Sequence, residues 1–141
     1  MNKFLKIVLS SVFTLTAQFA FAHGEDKQGP NGGFIRMPGP FHTELVPVSK
    51  NELTVYLLNM EWKKPSVKKS SLKIKHNDAT DAECKIKRNF YTCTFPKSVD
   101  LTKNGNLKVT AERESQKGME VSYSLPLKLE EAAKDEHSGH H

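Results

Sequence analysis

The segment Glu83-Cys84-Lys85-Ile86-Lys87-Arg88-Asn89-Phe90-Tyr91-Thr92-Cys93-Thr94-Phe95 decides the fold class. Cys84 and Ile86 alternate with Lys85 and Lys87, and Tyr91, Cys93 and Phe95 alternate with Thr92 and Thr94. Side chains on a strand point to opposite faces with a period of two, so each half reads as a half-buried strand. A tight turn at Arg88-Asn89 pairs Lys87 with Phe90, Ile86 with Tyr91 and Cys84 with Cys93. Counted from a two-residue loop, the last pair is a non-hydrogen-bonded one, where side chains approach most closely. That spacing suits a disulfide, and closing so short a loop should contribute up to about 2–3 kcal/mol.

Strand patterns recur on both sides of this hairpin. Phe41 to Val48 reads as a strand whose end, at Pro47, lies at an edge or bulge. Leu53 to Trp62 is apolar on both faces, as expected of a central strand. Ser71 to His76 alternates Leu72, Ile74 and His76 with Lys73 and Lys75. Asn104-Gly105-Asn106 marks a turn before Leu107, Val109 and Ala111. In the final strand Met119, Val121, Tyr123, Leu125, Leu127 and Leu129 face one way. No run in 41–129 has helical spacing, and no internal repeat is visible. The expectation is all-β: an immunoglobulin-like antiparallel β-sandwich of about seven strands, with a small barrel as the alternative.

The ends of the chain are different in kind. Lys3 and Lys6 precede an apolar stretch from Ile7 to Phe21, and Ala20-Phe21-Ala22 is a small-x-small cleavage site. Residues 1–22 therefore read as a signal peptide. The stretch is short and interrupted by Ser10, Ser11, Thr14, Thr16 and Gln18, unlike a membrane span. There is no cysteine at the cut to carry a lipid. Export, to the periplasm or beyond the cell, agrees with an even cysteine count and a structural Cys84–Cys93 bridge. Residues 23–40 hold Gly24, Gly29, Gly32, Gly33 and Gly39 with Pro30, Pro38 and Pro40, and read as an extended leader over the domain, pinned by Phe34, Ile35 and Met37. The β-sandwich takes 41–129, and 130–141 form a flexible histidine-rich tail.

Removing Lys3 and Lys6 lowers the net charge from +5 to about +3. The lysines between Lys63 and Lys103 are dispersed, so solvated strand faces explain them better than nucleic-acid binding. Catalytic motifs are absent: there is no nucleophile elbow, phosphate loop or His-Glu-x-x-His. The chain does not read as an enzyme.

The six histidines carry the chemical signal. Cleavage after Ala22 makes His23 the first residue, so its α-amine and imidazole Nδ1 form a two-nitrogen chelate. One further imidazole would complete a T-shaped brace, a geometry that favours Cu(II). His42 opens the first strand and is the proposed third nitrogen, with Glu44 on the same strand face as a supporting partner or oxygen ligand. His76 reads as a half-buried packing residue. Met37, in the leader, is a thioether candidate for Cu(I), while Met60 and Met119 sit in apolar strand patterns and read as core. His137, His140 and His141, beside Asp135 and Glu136, form a compositional metal-binding tract.

The stretch His23-Gly24-Glu25-Asp26, through Gly32-Gly33 to Phe41-His42-Thr43-Glu44-Leu45-Val46, resembles the leader of small bacterial periplasmic proteins. It is also similar to a His-Gly-Gly…His-x-Glu-Leu stretch of some heavy-metal efflux adaptors. An N-terminal histidine on a small β-sandwich resembles the CopC-like periplasmic copper carriers. Only His23 corresponds by position, and the hairpin disulfide departs from that group. The resemblance implies a periplasmic binding protein for copper, or for zinc or another divalent transition metal. Such a protein would act as carrier, buffer or efflux accessory, alongside an envelope efflux or copper-handling protein. A metal-free envelope interaction module and a brace-type copper oxidase are the alternatives.

Overall fold

Arg88 takes the left-handed conformation, φ 58°, that a tight hairpin turn demands, and the two strands beside it pair in the expected register. Cys84 faces Cys93 across that hairpin with Cα atoms 4.0 Å apart, and the two form a disulfide. In the computed structural model residues 27–130 are described. Their strands are β1 (Phe34–Gly39), β2 (Phe41–Ser49), β3 (Glu52–Leu58), β4 (Ser71–His76), β5 (Thr80–Asp81), β6 (Glu83–Lys87), β7 (Phe90–Thr94), β8 (Gly105–Arg113), β9 (Gln116–Lys117) and β10 (Val121–Leu125).

These strands form two five-stranded antiparallel sheets. The first has the order β1-β2-β3-β7-β6; the second has β10-β8-β4-β5, with β9 also paired to β8. Alternation explains which residues meet between them. Phe41, Leu45, Leu53, Val55, Leu57, Tyr91 and Cys93 point inward from the first sheet. Ile74, Leu107, Val109, Ala111, Tyr123 and Leu125 point inward from the second. Phe95, Val99 and Leu101 join the same core. Each fully buried aliphatic or phenyl side chain there stabilises the fold by roughly 1.5–3 kcal/mol. The architecture is thus an all-β sandwich.

Three expectations shift in detail. The second half of the leader is not merely laid over the domain: it is edge strand β1, in which Pro38 can sit because an edge need not donate every amide. The doubly apolar run ends as a strand at Leu58, and Asn59 to Lys64 fold into a loop. The last strand ends at Leu125, before Pro126, which has no amide hydrogen to extend a ladder.

The strands β1 and β10 are drawn together by a buried polar seam. Arg36 Nε donates to Ser122 O at 3.1 Å, and the guanidinium lies 4.7 Å above the Tyr123 ring. Tyr123 Oη lies 2.7 Å from Thr43 Oγ1 and 3.2 Å from Thr43 O. Met119 N donates to Pro38 O at 2.8 Å. Glu130 is held here too, its carboxylate 2.7 Å from the Arg36 guanidinium.

Candidate metal centre

Because Phe41, Thr43 and Leu45 of β2 face the core, His42 and Glu44 must face outward. Outward normally means solvated, yet His42 is 3 % and Glu44 0 % exposed. Two loops cover them, one before β1 and one after β3.

The first loop is the glycine turn of the leader. Gly29 N donates to Gly33 O at 2.9 Å, and Gly32 N to Gly29 O at 3.0 Å, with Gly32 at φ 77°. Its remaining amides converge on one acceptor. Glu44 Oε1 accepts from Asn31 N at 2.8 Å and Gly33 N at 3.0 Å, and Oε2 accepts from Asn31 Nδ2 at 2.9 Å. Hydrogen bonds to an ionised carboxylate are about twice as strong as neutral ones, which compensates for burying the charge. Gly33 must be glycine, since a Cβ would stand 2.6 Å from Leu45 O. Glu44 therefore clamps the leader. Just before the turn, Gln28 forms an antiparallel bridge with Phe34.

The second loop holds His42. Asn59 Oδ1 accepts from Glu61 N at 3.1 Å and from Lys63 N at 2.9 Å, folding the chain around the asparagine. Trp62 N donates to Asn59 O at 3.1 Å, and Trp62 sits at φ 61°, uncommon for a bulky side chain. The loop's far end is tied down by buried Arg113, whose guanidinium donates to Lys64 O at 2.6 Å and to Leu57 O at 3.2 Å. The indole lies against His42 with ring centres 5.9 Å apart and planes at 72°.

His42 Nδ1 lies 3.1 Å from Asn59 O. A carbonyl can only accept, so Nδ1 carries the hydrogen, and in the neutral ring Nε2 keeps its lone pair. Burial lowers the His42 pKa below the usual histidine value, partly offset by the bond to Asn59. The neutral ring is favoured. Metal-binding histidines are commonly oriented in this way, by a carbonyl on the other ring nitrogen.

The remaining candidates fall in different places. Met37 is partly buried at the irregularity of β1 opposite His42, between the pairs Arg36–Thr43 and Gly39–Phe41. Met60, expected in the core, is 50 % exposed in the loop beside Trp62, and Met119 is 74 % exposed. Both methionines belong to apolar runs that outlast their strands, so periodicity places them wrongly. His76 is half-buried with its ring 6.0 Å from that of Phe95, as a packing residue would be. Residues 1–22, His23 and the tail residues His137, His140 and His141 lie outside the described residues. Among the described residues, no group of three or more His, Cys, Asp or Glu is placed to hold a metal ion. Nor is any helix there long and apolar enough to cross a membrane. Asn59 and Trp62 went unread as site residues because they extend an apolar strand pattern; the asparagine inside that pattern was the available signal.

No protein-family model matches the chain, and neither does any curated protein or solved structure.

Proposed function

We propose that this chain is an exported protein that binds copper or a related divalent transition metal, as a periplasmic carrier, buffer or efflux accessory. His42 Nε2 is one nitrogen donor, and the amine and imidazole of His23, freed by cleavage after Ala22, are the others. The observation that carries the reading is His42 itself: buried on an outer face, its tautomer set by Asn59 O, its lone pair left on Nε2.

Reach allows the partner: Gln28 forms an antiparallel bridge with Phe34 of β1, and the five residues that separate it from His23 can extend about 17 Å. In this reading Glu44 acts by fixing the leader rather than by ligating the ion. The histidine tract His137, His140 and His141 supplements that site.

Intact mass of the exported protein tests whether His23 is residue one. A Cu(II) titration of that form should give one tight equivalent. The same protein with one extra N-terminal alanine should lose it, and equal binding by both would overturn the brace.

A further inference from the structure

We infer that β6 is a self-recognition edge: two copies of the chain join along it, antiparallel, with Cys84 opposite Cys84 of the second copy. The inference goes beyond the metal-binding reading and uses none of its residues.

Most borders of the two sheets are closed or short. β1 carries the bridge from Gln28, and β10 gives Ser122 O to the Arg36 guanidinium. β5 and β9 are two residues long. β6 has five residues, is outermost in its sheet, and meets no further strand among the described residues. In a two-residue hairpin the closing pair, Lys87–Phe90, exchanges hydrogen bonds, and bonded and non-bonded pairs alternate from there. Glu83 and Lys85 therefore bond to β7, while Cys84 and Ile86 turn their N–H and C=O to the open side. The Cys84–Cys93 disulfide ties the strand in place, so little ordering is required to add another.

Lysines on an edge ordinarily keep a second such strand away. Here their effect depends on register, because like charges directly opposite repel and unlike charges attract. Centred on Lys85, an antiparallel pair of β6 strands brings two lysines together. Centred on Ile86, it sets Lys85 against Lys87. Centred on Cys84, it sets Glu83 against Lys85 of the second copy, twice, and Lys87 level with Asp81. The run Asp81-Ala82-Glu83-Cys84-Lys85-Ile86-Lys87 reads acid, apolar, acid, apolar, base, apolar, base. Its charge inverts about its centre, so the run complements itself when turned round.

The apolar row agrees. Ile86 lies on the core-facing side of β6 yet is 60 % exposed. One exposed isoleucine means little by itself. In the register that charge selects, it falls opposite Ala82 of the second copy and gains a cover. The ladder stops there, since Ala82 N already donates to Ile74 O at 2.9 Å. A short interface of this kind makes a weak dimer that concentration controls.

Analytical ultracentrifugation of the oxidised mature protein, in chelator to remove metal-bridged species, tests this across a concentration series. The mass should rise from one chain towards two. Ile86→Pro removes an N–H that points only to the open side, so it should abolish the dimer and leave the far-ultraviolet circular dichroism unchanged. Lys85 is 74 % exposed, so Lys85→Glu keeps the fold even if the proline does not. It turns both central ion pairs into like-charge pairs, and should weaken association by about ten-fold. Adding Glu83→Lys to Lys85→Glu should restore it. A single-chain mass at every concentration would overturn the inference, as would a dimer that survives both Ile86→Pro and Lys85→Glu. Failure of the double exchange to recover association would overturn the register. Copper binding enters none of these measurements, so the brace stands or falls separately.

Discussion

His42 and Glu44 on the outer face of the first sheet are 3 % and 0 % exposed, whereas Lys75 and Lys108 on the outer face of the second keep 37 % and 35 % of their side chains in solvent. Both faces carry polar residues at outward strand positions. On the second, Lys75 pairs with Asp81 at 3.5 Å and Lys108 with Asp78 at 2.6 Å, around a shallow depression also lined by Lys73, Thr110 and Glu120. Asp78 raises the Lys108 pKa by hydrogen bond and charge. Such solvated pairs contribute little to stability and are screened by salt. On the first face, two loops fold over the polar residues, and every bond becomes hard to replace because water is no longer an alternative partner. One face is a solvated surface; the other is built.

That contrast can be broken most forcefully at Glu44. Replacing it with alanine leaves the amides of Asn31 and Gly33 without their acceptor, and should cost about 3 kcal/mol in a urea unfolding experiment. It should also speed proteolysis in the leader. Gly33→Ala is the next largest, at about 1–3 kcal/mol, since the new methyl would press on the backbone of β2. His42 sharpens the comparison through pH. Its folded pKa is lowered, so the unfolded chain takes up the proton first as pH falls below about 6.5. Stability present at neutral pH should therefore decline across that interval, and the slope should flatten in His42→Gln; an NMR titration of the ring checks the direction. Lys75→Met and Lys108→Met should leave the unfolding midpoint unchanged within error. A clear loss there would mean that the second face is organised too.

The fold was legible where alternation and turn chemistry agreed. The register of the Cys84–Cys93 hairpin, the β4 strand and the inward residues of β8 could be read from the sequence, because a period of two with one buried face admits few registers. Ile86, however, read on the buried face of the hairpin, is 60 % exposed because β6 is an edge strand. Reading failed where an apolar run continued past its strand. Met60, Trp62 and Met119 match the pattern but not the hydrogen bonding, and nothing local announces that Asn59 will fold the chain back on itself. The leader's glycines pointed away from a strand, yet β1 forms, since an edge strand tolerates what a central one cannot. His42 was visible as a candidate. Its burial was not, because that depends on two loops separated from it in sequence by nine or more residues. The role of Glu44 was hidden for the same reason.

The Cys84–Cys93 bond joins β6, the outermost strand of its sheet, to β7 beside it. An edge ribbon tied in this way cannot peel off alone or be exchanged for a strand of another molecule; it can depart only as a tethered pair. Reduction would restore that freedom, so the integrity of this border depends on the oxidising state of the compartment the protein inhabits.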